Sequence, residues 1–128
     1  MEPATLLYIE DNAANRLLVR RVLEAEGHTV LEAADGPSGL KVVRDTPPDL
    51  ILLDINLPEM DGYEFVSRLR KIEGLEETPV IALTANVMKG DRERTLAAGC
   101  DGYIQKPIDV DALPRQVADF LSGCSGSG

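Results

Sequence analysis

The 128-residue chain has no tryptophan, one histidine and two cysteines, and only 4% of its residues are aromatic. Each shortage removes a class of function. Cys100 and Cys124 are too few for a disulfide framework and neither belongs to a Cys-x-x-Cys pair, so a disulfide-stapled scaffold does not fit. A reduced, cytoplasmic setting is expected. His28, just after Gly27, has no evident partner of the kind that a pH switch or proton shuttle needs, and a structural or solvated role is expected for it. No apolar stretch approaches the roughly 20 residues of a membrane span. The start, Met1-Glu2-Pro3-Ala4, lacks the basic and apolar regions of a signal peptide. Positive charge is also scarce: 13 Lys and Arg face 22 Asp and Glu, for a net charge of -9. Nucleic acid is therefore an unsuitable direct partner, because a phosphate backbone requires Lys/Arg patches.

What is present is ordinary for one soluble globular domain, with 44% hydrophobic and 27% charged residues. Solubility accounts for most of the acidic excess, and a bound cation would offset part of it. Apolar runs at 5–9, 29–32, 50–53, 80–83 and 102–105 alternate with helical patterns near 13–25, 37–44, 62–70, 88–98 and 111–121. The runs at 50–53 and 80–83 are continuously apolar, as in strands covered on both faces. Five βα units in succession predict an α/β fold, a parallel sheet with helices on both sides. Leu18, Val19, Val22 and Leu23 form one face of the first helix, and Val110, Leu113, Val117, Phe120 and Leu121 one face of the last.

The breaks agree with this division. Gly27, Gly74 and Gly99 follow helical patterns as C-terminal stops, and Pro47-Pro48 and Pro79 precede strands. Pro114 fits the first turn of the last helix, with Asp111 as its N-cap. Asp61 is expected to cap the third helix and Gly62 to allow a tight turn. Residues 89–95 are almost wholly polar, with Met88, Leu96 and Ala97 as modest anchors, and Cys100 reads as a small apolar filler. Residues 1–121 make the domain, and 122–128 form a flexible Ser/Gly-rich tail.

The chemistry lies at the strand exits. Asp54 closes Leu50-Ile51-Leu52-Leu53, Glu10-Asp11 close Leu6-Leu7-Tyr8-Ile9, Thr84 closes Val80-Ile81-Ala82-Leu83, and Lys106-Pro107 follow Tyr103-Ile104. In an open parallel sheet ligands bind outside the carboxyl ends of the strands. One Asp after a strand is commonly only a cap or turn former. Three carboxylates, a hydroxyl and an ammonium at four strand ends suit a divalent cation and a phosphoryl group. Mg2+ matches such oxygen donors, whereas no nearby Cys or His favours zinc.

The residues Glu10-Asp11, Asp54-Ile-Asn-Leu-Pro-Glu-Met-Asp61-Gly62, Thr84-Ala85, Tyr103 and Lys106-Pro107 resemble those of a response-regulator receiver domain of two-component signalling, over about residues 4–121. The resemblance implies a flavodoxin-like (βα)5 fold with strand order 2-1-3-4-5. It implies that Asp54 accepts a phosphoryl group from a sensor histidine kinase or a histidine phosphotransfer protein. Asp11, Asp54 and the backbone carbonyl of Asn56 would bind Mg2+ directly, and Glu10, where the family often has Asp, would act through a water. Lys106, on a cis peptide with Pro107, and Thr84 would hold the phosphoryl oxygens. Thr84 and Tyr103 would form the switch pair that alters the surface of the last two helices for a downstream protein target. Asn56 and Asn86 would line the path of the hydrolytic water without supplying a base.

Other readings are weaker. A phosphatase of the haloacid dehalogenase type needs a second Asp two residues past its nucleophile, where this chain has Asn56. A flavodoxin-like FMN binder needs a Ser/Thr- and Gly-rich loop after the first strand, where Glu-Asp-Asn would repel phosphate. A receiver excised from a hybrid histidine kinase, which the run Ala-Leu-Thr-Ala-Asn-Val-Met-Lys-Gly-Asp-Arg resembles, stands beside a stand-alone receiver. Oligomeric state is left open.

Overall fold

Runs of Leu, Ile and Val build five strands: β1 (Thr5–Ile9), β2 (Thr29–Ala33), β3 (Leu50–Asp54), β4 (Val80–Thr84) and β5 (Gly102–Gln105). The structure is a computed structural model that describes residues 3–55, 60, 62–84, 100–105 and 108–122. Its helices are α1 (Ala13–Glu24), α2 (Gly36–Asp45), α3 (Gly62–Leu69) and α4 (Leu113–Ser122). The helical pattern at 88–98, with Gly99, and the tail from 123 lie outside the described residues.

The strands form one parallel sheet in the order β2-β1-β3-β4-β5. This is the doubly wound arrangement expected from the resemblance, and its order reverses between β1 and β3. Alternate residues of each strand feed opposite faces. Leu7, Ile9, Ile51 and Leu53 pack with Leu40, Val43, Phe65 and Leu69 of α2 and α3. Leu6, Tyr8, Leu52 and Leu83 pack with Val19 and Leu23 of α1 and Leu113 and Val117 of α4. Covered on both sides, β3 and β4 bury every residue, which explains their unbroken apolar sequences. Each such aliphatic side chain contributes about 1.5–3 kcal/mol on burial.

Helix ends follow local chemistry. Asn12 caps α1 by accepting the Asn15 N–H, and Asp35 caps α2 by accepting that of Ser38. Gly27 stops the α1 segment at φ +96°, with its N–H on the Glu24 carbonyl and the His28 N–H on that of Leu23. These two bonds are the Schellman pattern, and the left-handed residue in it favours glycine. His28 is itself buried; its Nδ1 accepts the Ala4 N–H at 3.0 Å, while Nε2 has no partner among the described residues.

Several sequence expectations require correction. Leu18 is not on the packed face of α1: it is 48% exposed, beside Leu17 at 47%. Asp111 does not cap the last helix. The turn before α4 is held by Asp109, whose carbonyl accepts from Ala112 and Leu113 and whose side chain accepts from Asp111. Pro114 does fall in the first turn, where its missing N–H breaks no helical bond. Gly62 is set by close approach, because a Cβ there would lie 2.9 Å from Ile55 Cα. Its N–H also bonds to the Ile55 carbonyl at 3.0 Å, which closes the loop after β3. Asp61 lies outside the described residues.

Candidate functional site

Asp54 and Thr84 are the last residues of β3 and β4, and each strand runs one residue further than its apolar run. Both side chains are buried, at 3% and 7% exposure. Glu10 directly follows β1, anchored by its own N–H on the Ala33 carbonyl of β2, and is 2% exposed. Asp11 is exposed beside it. One carboxylate oxygen from each of Glu10, Asp11 and Asp54 lies within 4.8 Å of the others. The cluster sits at the β1–β3 junction, where the strand order reverses.

Three like charges so close repel one another, and two of them have lost most of their water. A hard divalent cation resolves that conflict, and oxygen-only donors in this number match Mg2+ rather than zinc. The residues present therefore fit the ion suggested by the sequence. Tyr103, in β5 alongside Ala82, is half-buried against the α2–α3 side of the core. Lys106, Pro107, Asn56 and Asn86 lie outside the described residues.

Two residues of this neighbourhood were not anticipated. Arg16, one turn into α1, donates to the backbone carbonyl of Glu10 and, through Nε, to Glu32 of β2 at 3.2 Å. It ties the acidic turn to α1 and brings a positive charge close to it. Tyr8 is fully buried, and its hydroxyl donates to Glu10 Oε1 at 3.3 Å. Burial, and then the negative charge of Glu10, push its phenol well above the ordinary value, so the hydroxyl remains a donor. The signal for Tyr8 was the two-residue spacing to Glu10, which puts both on one face of the strand. Arg16 carried no comparable signal. Cys100 is the buried filler expected, and burial raises its thiol to about 11, away from nucleophile chemistry.

The fold is doubly wound α/β with an acidic cluster at its switch point, and comparison with known proteins gives its family. The model for the response regulator receiver domain matches residues 6–118, and the chain belongs to that family. It is 40% identical over 119 residues to the polar-differentiation response regulator DivK of Brucella anthropi, covering 93% of this chain and 97% of that one. Among solved structures it is similar to chemotaxis response regulator CheY4 of Vibrio cholerae, at 29% identity and a TM-score of 0.86, with 91% of this chain and 98% of that chain covered. It is also similar to the receiver domain of a sensor histidine kinase from Pseudomonas aeruginosa, solved with a magnesium ion coordinated in its active site cleft. There the identity is 34% and the TM-score 0.84, over 94% and 98% of the two chains.

Proposed function

We propose that the chain is a phosphoacceptor switch: residues 1–121 form the receiver unit, and Asp54 takes a phosphoryl group from the phosphohistidine of a kinase or phosphotransfer protein. The carrying observation is the Glu10, Asp11 and Asp54 cluster, with Asp54 at the mouth of a wholly buried strand. An Asp54 oxygen attacks phosphorus, a P–O bond forms and the P–N bond to the donor's imidazole breaks. Mg2+, when bound, supplies charge neutralisation for the carboxylates and the transferring group. Asp11 and Asp54 would hold it directly together with the Asn56 backbone carbonyl, and Glu10 would act through a water. Lys106 and the Thr84 hydroxyl bind the phosphoryl oxygens.

The Thr84 hydroxyl then moves toward the phosphoryl group and Tyr103 turns inward, which alters the surface carried by residues 88–98 and α4 for a protein target. No described helix is long and apolar enough to cross a membrane. We assign the chain to the cytoplasm, where it would meet its donor.

Incubation with acetyl phosphate and Mg2+, read by intact mass, tests the reading. Wild-type protein should gain one phosphoryl group, Asp54→Asn should gain none, and EDTA should prevent the gain. Modification that survives both Asp54→Asn and EDTA would sink the assignment.

A further inference from the structure

Glu10 is a long side chain with several rotatable bonds, and among the described residues Tyr8 and Asn12 both donate to it. The Tyr8 hydroxyl donates to Oε1 at 3.3 Å and the Asn12 backbone N–H to Oε2 at 3.1 Å. The Tyr8 ring is locked in the apolar layer with Leu6, Leu52 and Leu83, and the residue is 0% exposed. Its oxygen is not needed to fill that space, since Phe has the same ring. A buried hydroxyl must be satisfied, and here it is satisfied by a carboxylate of the acidic cluster.

We propose that Tyr8 is a positioning residue for the divalent cation: its hydroxyl fixes the Glu10 carboxylate in the orientation that faces Asp11 and Asp54. This rests on the reading of the cluster as a Mg2+ site. A shorter carboxylate at position 10 would need less support, so the longer Glu and a hydroxyl-bearing partner two residues earlier belong together. Groups that orient metal ligands from behind typically change metal affinity by about 10–100-fold when removed. At 3.3 Å the bond is long for O–H···O, so the lower end of that range, about tenfold, is expected.

The test is a calorimetric Mg2+ titration of the full chain as wild type, Tyr8→Phe, Glu10→Ala and the double variant. Tyr8→Phe should bind about tenfold more weakly while keeping a cooperative unfolding transition in EDTA. In the Glu10→Ala background the same change should alter affinity less than about twofold, because the carboxylate it orients is gone. Equal affinity for wild type and Tyr8→Phe would overturn the proposal. So would an equal loss in both backgrounds, which would mark a general packing effect. Wild-type protein that takes no Mg2+ would instead remove the reading beneath it.

Discussion

Asp49 and Asp101, at the amino ends of the strands, carry the same side chain as Asp11 and Asp54 at the carboxyl ends, yet the two pairs are used in opposite ways. Asp49 precedes β3: its N–H donates to the Thr5 carbonyl of β1 at 2.7 Å, and its carboxylate accepts the Thr5 N–H at 2.8 Å. Asp101 precedes β5 and repeats this with Val80 of β4, at 2.7 and 2.9 Å. Before β2 the work is divided: His28 Nδ1 accepts the Ala4 N–H, while the Thr29 N–H donates to the Ala4 carbonyl. At the β3–β4 junction Pro79 donates no N–H, and its carbonyl accepts from Ile51. Parallel strands all present N–H groups at one end, so acidic side chains there find donors. At the other end strands finish in carbonyls, which offer a carboxylate nothing. Carboxylates gathered there need donors from elsewhere or a cation. The direction of the backbone, not the residue type, separates acids that cap strands from acids that gather in the cluster.

The largest expected effect breaks the comparison at the carboxyl end. Saturating Mg2+ at about 100 times its dissociation constant should stabilise the wild type by about 2.7 kcal/mol, read as a thermal or denaturant midpoint. Asp54→Ala should lose most of that gain. In EDTA, Asp54→Asn should be at least as stable as wild type, because it removes one of three repelling charges. A variant that is less stable in EDTA yet still gains from Mg2+ would mean that Asp54 is a structural acid like Asp101.

Next comes the amino end. Asp101→Ala leaves the Val80 N–H without its side-chain acceptor and removes the partner of Arg70, whose guanidinium also holds the Leu75 and Thr78 carbonyls. A destabilisation of about 1–3 kcal/mol is expected, with the Mg2+ shift unchanged. Coupling between Asp101→Ala and Mg2+ affinity would break the separation of the two ends.

The smallest effect sharpens the rule through its exception. Asp35 lies near the carboxyl end of β2, but helix α2 begins at once and supplies it with the Ser38 N–H at 2.8 Å. That bond, with the Ser38 hydroxyl, holds the Asp35 carboxyl below its usual range. Its folded value is depressed, so its contribution is fully present above the unfolded value of about 3.9 and fades as pH falls through the folded value. Asp35→Ala should cost about 1 kcal/mol at neutral pH. The difference from wild type in urea should narrow only in acid below about pH 4.

Strands and the carboxylates at their exits were legible because each is written locally. Apolar runs mark buried strands, and the family motif supplies the order that local signals lack. Ends were less legible. Asp54 and Thr84 belong to their strands because each is still paired with a neighbouring strand, alongside Leu83 and Gln105 respectively. Leu18 looked like core because it adjoins Val19, and only the direction in which α1 meets the sheet shows it faces out. Asp49 and Asp101 could not be recognised as strand caps without knowing that β3 lies beside β1 and β5 beside β4. Arg16 likewise depends on where α1 lies against Glu32. Long-range adjacency decides these roles. Lys106 and Asn56 stay expectations, being outside the described residues.

His28 has a consequence of another kind. With Nδ1 accepting from the Ala4 amide, the ring carries its proton on Nε2, enclosed and with no acceptor among the described residues. It is also the chain's only histidine. The protein thus contains a native magnetic-resonance beacon: one imidazole N–H signal, sheltered from solvent exchange, at the amino end of the sheet. Followed while the opposite end is loaded, that single line would measure how far a charge at Asp54 is felt along the strands, with no label attached.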